Sequence, residues 1–128
     1  MVIEHIKLSQ QAKEQLIKLK RVTGIMNWNV LCRWAFCTSL AEPTPPHSIR
    51  IPADSSVEMT WKTFGGEHSE VYEALLRARC LHDGLELSNE ILAEQFRLHL
   101  HRGIGYLFAD KKMRDVADLF RRIPELAA

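Results

Sequence analysis

Residues 2–24 read VIEHIKLSQQAKEQLIKLKRVTG, and this stretch decides the N-terminal fold. Apolar and polar side chains alternate over residues 2–8, which is typical of a short β-strand. Ser9 is a good helix N-cap and Gly24 a good helix stop, so a helix is predicted from Ser9 to about Val22. Its predicted buried stripe consists of Ala12, Leu16 and Leu19, widened by Ile17.

A second, more apolar helix is predicted over residues 27–40. Its apolar side chains cover more than half of the circumference, so it lies either at the centre of the core or at an interface with another subunit. A strand, a basic helix, a turn and a second helix follow one another in DNA-binding ribbon–helix–helix modules. The N-terminal strand then either pairs with the same strand of a second subunit or packs within its own domain.

The rest of the chain predicts a mainly α protein. Pro43–Pro46 ends the second helix, and Ser48–Ile51 and Val57–Phe64 read as the two strands of a hairpin. At this length one compact domain is expected over 1–128, comprising a ribbon–helix–helix-like part (1–40), a proline-flanked β-hairpin (41–66) and a helical part (67–122). Further helices are predicted over Ser69–Leu81, from Ser88 to about Arg102, and over Lys111–Arg122.

Positive charge is concentrated at the two ends of the chain, although the net charge is only +1. Residues 1–40 contain six Lys or Arg and two Glu, whereas residues 67–110 contain four basic and eight acidic residues. Such asymmetry indicates separate faces for separate partners. The basic N-terminal residues are the candidate phosphate contacts, namely Lys7, Lys13, Lys18, Lys20, Arg21 and Arg33.

No motif in the sequence predicts catalysis, a cofactor or a metal site. His99 and His101 are two residues apart and would point in different directions on a helix, which is poor spacing for a zinc site. The stretch Gly103-Ile104-Gly105 lacks the Lys-Ser/Thr of a nucleotide-binding loop, so a close helix–helix approach or a local bend is the better interpretation. We therefore expect a protein without enzymatic activity of its own.

The sequence also predicts a cytoplasmic protein. No apolar run is long enough to span a bilayer, and no signal peptide is recognisable at the N-terminus. The three cysteines, Cys32, Cys37 and Cys80, form no paired framework, which suits a reducing compartment.

Four segments carry a resemblance to a known family. They are Leu19–Gly24, Trp28–Phe36 (WNVLCRWAF), Thr63–Gly66 (TFGG) and His101–Leu107 (HRGIGYL). The chain resembles the DndE family of DNA phosphorothioation, or DNA sulfur modification, systems. These systems work beside restriction–modification, and the resemblance spans most of the chain without a catalytic signature.

The resemblance implies a function and a set of partners. The family works with a cysteine desulfurase, an iron–sulfur adenylating protein and an ATPase to replace a non-bridging phosphate oxygen of DNA by sulfur. Its small member is a largely helical homo-oligomer, a tetramer, that favours nicked double-stranded DNA. The expected function is therefore that of a DNA-binding accessory subunit, with a DNA nickase of the same pathway or a ribbon–helix–helix-like transcriptional regulator as alternatives.

Overall fold

The chain is mainly helical in the computed structural model, which describes residues 3–123, and the predicted fold class is confirmed. Ser9 accepts a hydrogen bond from the backbone of α1 and Gly24 ends this helix with a φ of 76°, as the sequence predicts. The elements in chain order are β1 (His5–Lys7), α1 (Gln10–Thr23), α2 (Trp28–Ala41), β2 (Glu58–Thr60), α3 (Trp61–Gly65), a 3-10 turn (Gly66–His68), α4 (Ser69–His82), α5 (Asn89–Ala109) and α6 (Val116–Arg121).

The N-terminal strand pairs within its own chain. β1 and β2 form a two-stranded antiparallel sheet in which Ile6 lies opposite Met59, and both side chains are buried. Of the two alternatives for this strand, packing within the domain is the one observed. Val2, the first residue of the predicted strand, lies outside the described residues.

The predicted hairpin in the middle of the chain is wrong. Ser48–Ile51 is not a strand, and Ile49 is 63% exposed, so the alternation there does not reflect burial on a sheet face. The second predicted strand ends at Thr60, because this side chain accepts a hydrogen bond from the Thr63 N–H and begins α3. The partner of β2 is instead β1, about fifty residues earlier in the chain.

Helices α2 and α5 form the centre of the core. α5 continues through Gly103 and Gly105 without a break. A Cβ on Gly103 would overlap the carbonyl oxygen of Ala35 in α2, so the predicted close helix–helix approach is confirmed. The rings of three buried phenylalanines meet beside this crossing with centroid distances of 4.9 to 5.8 Å, namely Phe36, Phe64 and Phe96.

The C-terminal helix is shorter than predicted. Residues 111–114 lie before it, and α6 begins only at Val116. Asp115 and Asp118 form a reciprocal capping box, which fixes the start of the helix one turn later than the apolar spacing suggests.

A buried arginine anchors the proline-rich segment that follows α2. Arg79 of α4 donates to both carboxylate oxygens of Asp83, at 3.1 and 3.0 Å. Its remaining donors reach the carbonyl oxygens of Leu40, Glu42 and Thr44 at 2.8 to 2.9 Å. The guanidinium therefore replaces the helix and sheet hydrogen bonds that these carbonyl groups lack.

Candidate nucleic-acid interface

Helix α1 presents a basic face to solvent. Its buried stripe contains Ala12, Leu16 and Leu19 as predicted, whereas Ile17 is 39% exposed and does not widen the stripe. Lys18 and Arg21 are exposed away from this stripe. Glu14 is the one acidic residue of the helix, so the second half of α1 carries an uncompensated positive charge.

Four of the six predicted DNA contacts, including Lys18, also contact groups of their own chain. The Lys13 ammonium donates to a serine hydroxyl before β2 at 2.8 Å, and Lys20 Nζ lies 3.6 Å from the ring centroid of Trp28. The guanidinium of Arg33 donates to the carbonyl oxygens of Phe64 and Thr63. Arg33 therefore fixes the end of α3 and has fewer donors free for phosphate.

The six predicted residues do not form one patch. Lys7 is exposed on β1 opposite Glu58, and Lys13 and Lys20 lie on the flank of α1 that faces β2 and α2. Lys18 lies on the other flank, beside α5, with its Nζ 4.8 Å from the ring centroid of Phe108. The assignment of all six to DNA remains a prediction, and the structure divides them into separate groups.

A basic groove lies where α1 and α5 end together. The Ser9 N–H donates to His101 at one point along the two helices, and Lys18 contacts Phe108 further along both, so α1 and α5 run in the same direction. Beyond this contact Lys18 and Lys111 line a groove of about 130 Å³. We call this the basic groove, and its other lining side chains are Leu19, Val22, Leu107, Phe108, Asp110 and Met113.

The cations around the basic groove are largely unneutralised. Asp110, its one acidic lining residue, accepts from Arg122 at 2.6 Å, and Arg121 pairs with Asp118. Within residues 3–123, Lys18, Arg21 and three exposed cations after α5 form no ion pair, and those three are Lys111, Lys112 and Arg114. Lysine and arginine side chains from two segments of the chain can therefore meet consecutive phosphates.

The thiols of the described chain lie in poor surroundings for nucleophilic chemistry. Burial raises the pKa of Cys32 to about 12 and also raises the pKa of Cys37 and of Cys80. At neutral pH these side chains are thiols, and the thiolate is the reactive form. In residues 3–123 no group of three or more His, Cys, Asp or Glu is placed to hold a metal ion.

The sequence did not indicate a second concave region on the same seam. Between α1, α5 and the segment after the prolines lies a cleft of about 450 Å³, lined by Gln11, Gln15, Arg50 and Gly105 among others. Residues far apart in the chain form this cleft, and each of them alone reads as an ordinary surface residue. Gly105 was the one signal available in the sequence, because glycine in the interior of a helix costs stability.

Comparison with solved structures defines the class of protein. The crystal structure of DndE from Escherichia coli B7A, involved in DNA phosphorothioation modification, has a TM-score of 0.70 and 27% identity, covering 84% of this chain and 98% of that one. A crystal structure of a glycine-to-lysine DndE mutant, involved in DNA phosphorothioation, has a TM-score of 0.63 and 23% identity, covering 81% and 97%. The fold is thus shared with proteins of DNA sulfur modification.

The family follows from the sequence itself. The family model described as DNA sulphur modification protein DndE matches residues 5–115, and the chain belongs to the DndE family. The resemblance seen in the four sequence segments is confirmed. No curated protein sequence matches the chain. None of the helices in the described residues combines the length and the apolar character needed to cross a membrane.

Proposed function

We propose that this DndE-family protein is a DNA-binding accessory subunit of the phosphorothioation machinery. It holds duplex DNA, with nicked duplex as the preferred form, through the basic groove and the exposed cations around it. The observation that carries this proposal is the convergence of Lys18 and Lys111 from separate segments on one groove without an ion pair within residues 3–123. Arg21, Lys112 and Arg114 extend the surface.

Binding of this kind reads the DNA backbone rather than the base sequence. Lys18 and Lys111 lie beside the basic groove, and α1 presents a face that carries Glu14 and Ile17 as well as the cations. Charged side chains that meet phosphates release counterions and bind any sequence, whereas base readout needs bidentate polar contacts in the major groove. We therefore expect little sequence preference.

In this proposal other subunits perform the sulfur chemistry. The raised thiol pKa values support that division, because a sulfur carrier needs an accessible thiolate. The chain would hold the DNA while a cysteine desulfurase, an iron–sulfur adenylating protein and an ATPase act on it. A homo-oligomer, with a tetramer as the first expectation, would repeat the basic groove on every subunit and strengthen binding.

A charge-reversal experiment tests the proposal. Lys18→Glu with Lys111→Glu should weaken binding to nicked and intact duplex by roughly tenfold or more, since each change removes an attraction to phosphate and adds a repulsion. The matched control is Lys62→Glu with Arg77→Glu, which makes the same change in net charge on α3 and α4. The proposal fails if the folded Lys18/Lys111 variant binds as tightly as the wild type or if both variants lose the same affinity.

A further inference from the structure

The cleft on the α1–α5 seam has the dimensions and lining of a ligand site. Its volume of about 450 Å³ falls within the range of small-molecule pockets, which are mostly apolar with a few well-placed polar groups. One wall is the segment after the prolines, where Ile49 is 63% exposed. The other wall is α5, with Leu98 and Gly105.

No contact within residues 3–123 requires a glycine at position 105. Gly105 lies in the interior of α5, where glycine is less favourable than alanine by about 1 kcal/mol. Gly103, two residues earlier, is required by the close contact with α2, but a Cβ on Gly105 would meet no atom within 4 Å. A side chain at this position would take up space in the cleft and leave the core unchanged.

Four polar side chains that line the cleft have no partner in the described part of the chain. Within residues 3–123 no side-chain hydrogen bond or ion pair is formed by Gln11, Gln15, His47 or Arg50. By contrast, His101 uses both ring nitrogens, one with the Ser9 N–H at 3.2 Å and the other with the Arg97 carbonyl at 2.8 Å. The available groups are therefore two amides, which donate and accept, one imidazole and one guanidinium, beside the Asp54 carboxylate, which accepts from the Gln10 N–H at 2.8 Å.

This set of groups matches the chemistry of a nucleotide. An apolar wall of isoleucine and proline accepts the flat face of a base, and glutamine amides suit the donor and acceptor edge of a base. A guanidinium suits a phosphate, and Arg50 at the cleft is free to make that contact. The cleft also lies on the same seam as the basic groove, because Gly105 precedes Phe108 by about one helical turn.

We propose that the cleft binds a single unstacked nucleotide, with the base between the Ile49 wall and Gly105 and the phosphate beside Arg50. The identity of this nucleotide rests on the proposed function: it is an unpaired residue of the DNA strand whose backbone lies in the basic groove. The same chemistry is offered by a free mononucleotide. The test therefore uses both sources.

The experiment compares a duplex that carries one unpaired adenosine with the same duplex fully paired, and adds dAMP in a separate titration. The wild type should bind the duplex with the unpaired nucleotide roughly fivefold or more tightly than the paired duplex, because burial of about 40 Å² of apolar base surface is worth about that factor. Gly105→Leu should fill the cleft and abolish this preference, while the affinity for paired duplex stays unchanged. Gly105→Ala is the matched control and should retain the preference, and Arg50→Glu should reduce it.

The outcomes separate this inference from the proposed function. If Gly105→Leu keeps the full preference, or if the wild type shows none, the inference for DNA is overturned while binding of paired duplex still supports the basic groove. If dAMP binds to the wild type and not to Gly105→Leu, but the protein binds no duplex, the cleft is a nucleotide site. That result would contradict the proposal that the basic groove binds DNA. If neither dAMP nor the unpaired nucleotide depends on Gly105, the cleft is not a nucleotide site.

Discussion

Two glycines in α5, two residues apart, have opposite roles. Gly103 permits the closest approach of α2 and α5, because any side chain there would overlap Ala35. Gly105 faces open space. The sequence shows only a Gly-X-Gly pattern, and the neighbour of each glycine depends on packing between helices that are sixty or more residues apart in the chain.

Substitution of each glycine by alanine should separate these roles. Gly103→Ala should destabilise the protein by roughly 3 kcal/mol, since overpacking against backbone cannot be relieved by a rotamer change. Gly105→Ala should leave stability unchanged or raise it by up to about 1 kcal/mol through helix propensity. Urea unfolding of both variants measures the difference, and equal effects would contradict this account of the α2–α5 contact.

His99 is a buried neutral imidazole. Its Nδ1 lies 2.8 Å from the Ser39 hydroxyl, which also accepts from Arg102. Burial, together with the nearby cations Arg79 and Arg102, lowers the pKa of His99 to about 4. Protonation would bury a charge beside two guanidinium groups.

The stability of the fold should therefore decrease in mild acid. The unfolded chain takes up a proton at His99 near the usual pKa of about 6.5, whereas the folded chain does so only near 4, so stability is lost as the pH falls through this window. The loss at pH 4 is on the order of 3 kcal/mol. Urea unfolding at several pH values should show a smaller loss for His99→Asn than for the wild type, and identical pH profiles would contradict the assignment.

At the scale of secondary-structure elements, local sequence signals predicted the bounds of helices better than the pairing of strands. Ser9 and Gly24 bound α1 correctly, because a cap is determined by residues within one turn. Ser48–Ile51 and Glu58–Thr60 show the same two-residue alternation, yet only the second finds a strand to pair with. Strand pairing depends on the position of β1, which the local pattern does not contain.

The segment after α2 is held by side chains rather than by a sheet. Arg79 donates to the carbonyl oxygens of Glu42 and Thr44 there, and Arg102 donates to that of Thr44 at 2.8 Å. These contacts fix the start of the segment whose later residues, Ile49 among them, form one wall of the cleft. An arginine buried on α4 reads in the sequence as one more surface charge, so the sequence did not indicate this anchor.

Arg79→Lys should test this anchor. Lysine keeps the charge but loses the planar set of donors, so the variant should be destabilised by about 2–4 kcal/mol. Arg77→Lys on the same helix is the control, because Arg77 forms a partly exposed pair with Glu73 and should cost less than about 0.5 kcal/mol. Thermal unfolding compares the two, and similar shifts would contradict the importance of the Arg79 contacts.

At the scale of the whole molecule, the apolar face of α2 lies mainly in the core, which is one of the two alternatives that the sequence left open. Phe36 is fully buried within its own chain, and Trp34 packs edge-on against Phe120 at 5.7 Å. Much of α2 therefore packs in the core of its own chain rather than at an interface with another subunit. The exposed apolar side chains that remain include Val71 and Leu75 on α4, near the half-buried Tyr72.

The predicted homo-oligomer can be measured directly. Sedimentation equilibrium at micromolar concentration should give a mass near four times the 14.8 kDa of one chain. Leu75→Glu, on the exposed face of α4, should lower this mass, because a charge would be buried at an apolar interface. Met26→Glu, at a 68% exposed position between α1 and α2, is the control. A wild-type monomer would refute the tetramer.

The central claim is that the basic groove binds the DNA backbone, and the salt dependence of binding tests it most directly. Fluorescence anisotropy with nicked duplex, from about 50 to 200 mM salt, should give a linear decrease of log affinity with log salt, with a slope of roughly 0.9 per phosphate contacted. Lys18→Gln with Lys111→Gln should reduce that slope by roughly 1.8, because two contacts are removed without repulsion. Binding that is independent of salt, or a slope that the double variant leaves unchanged, would contradict the account.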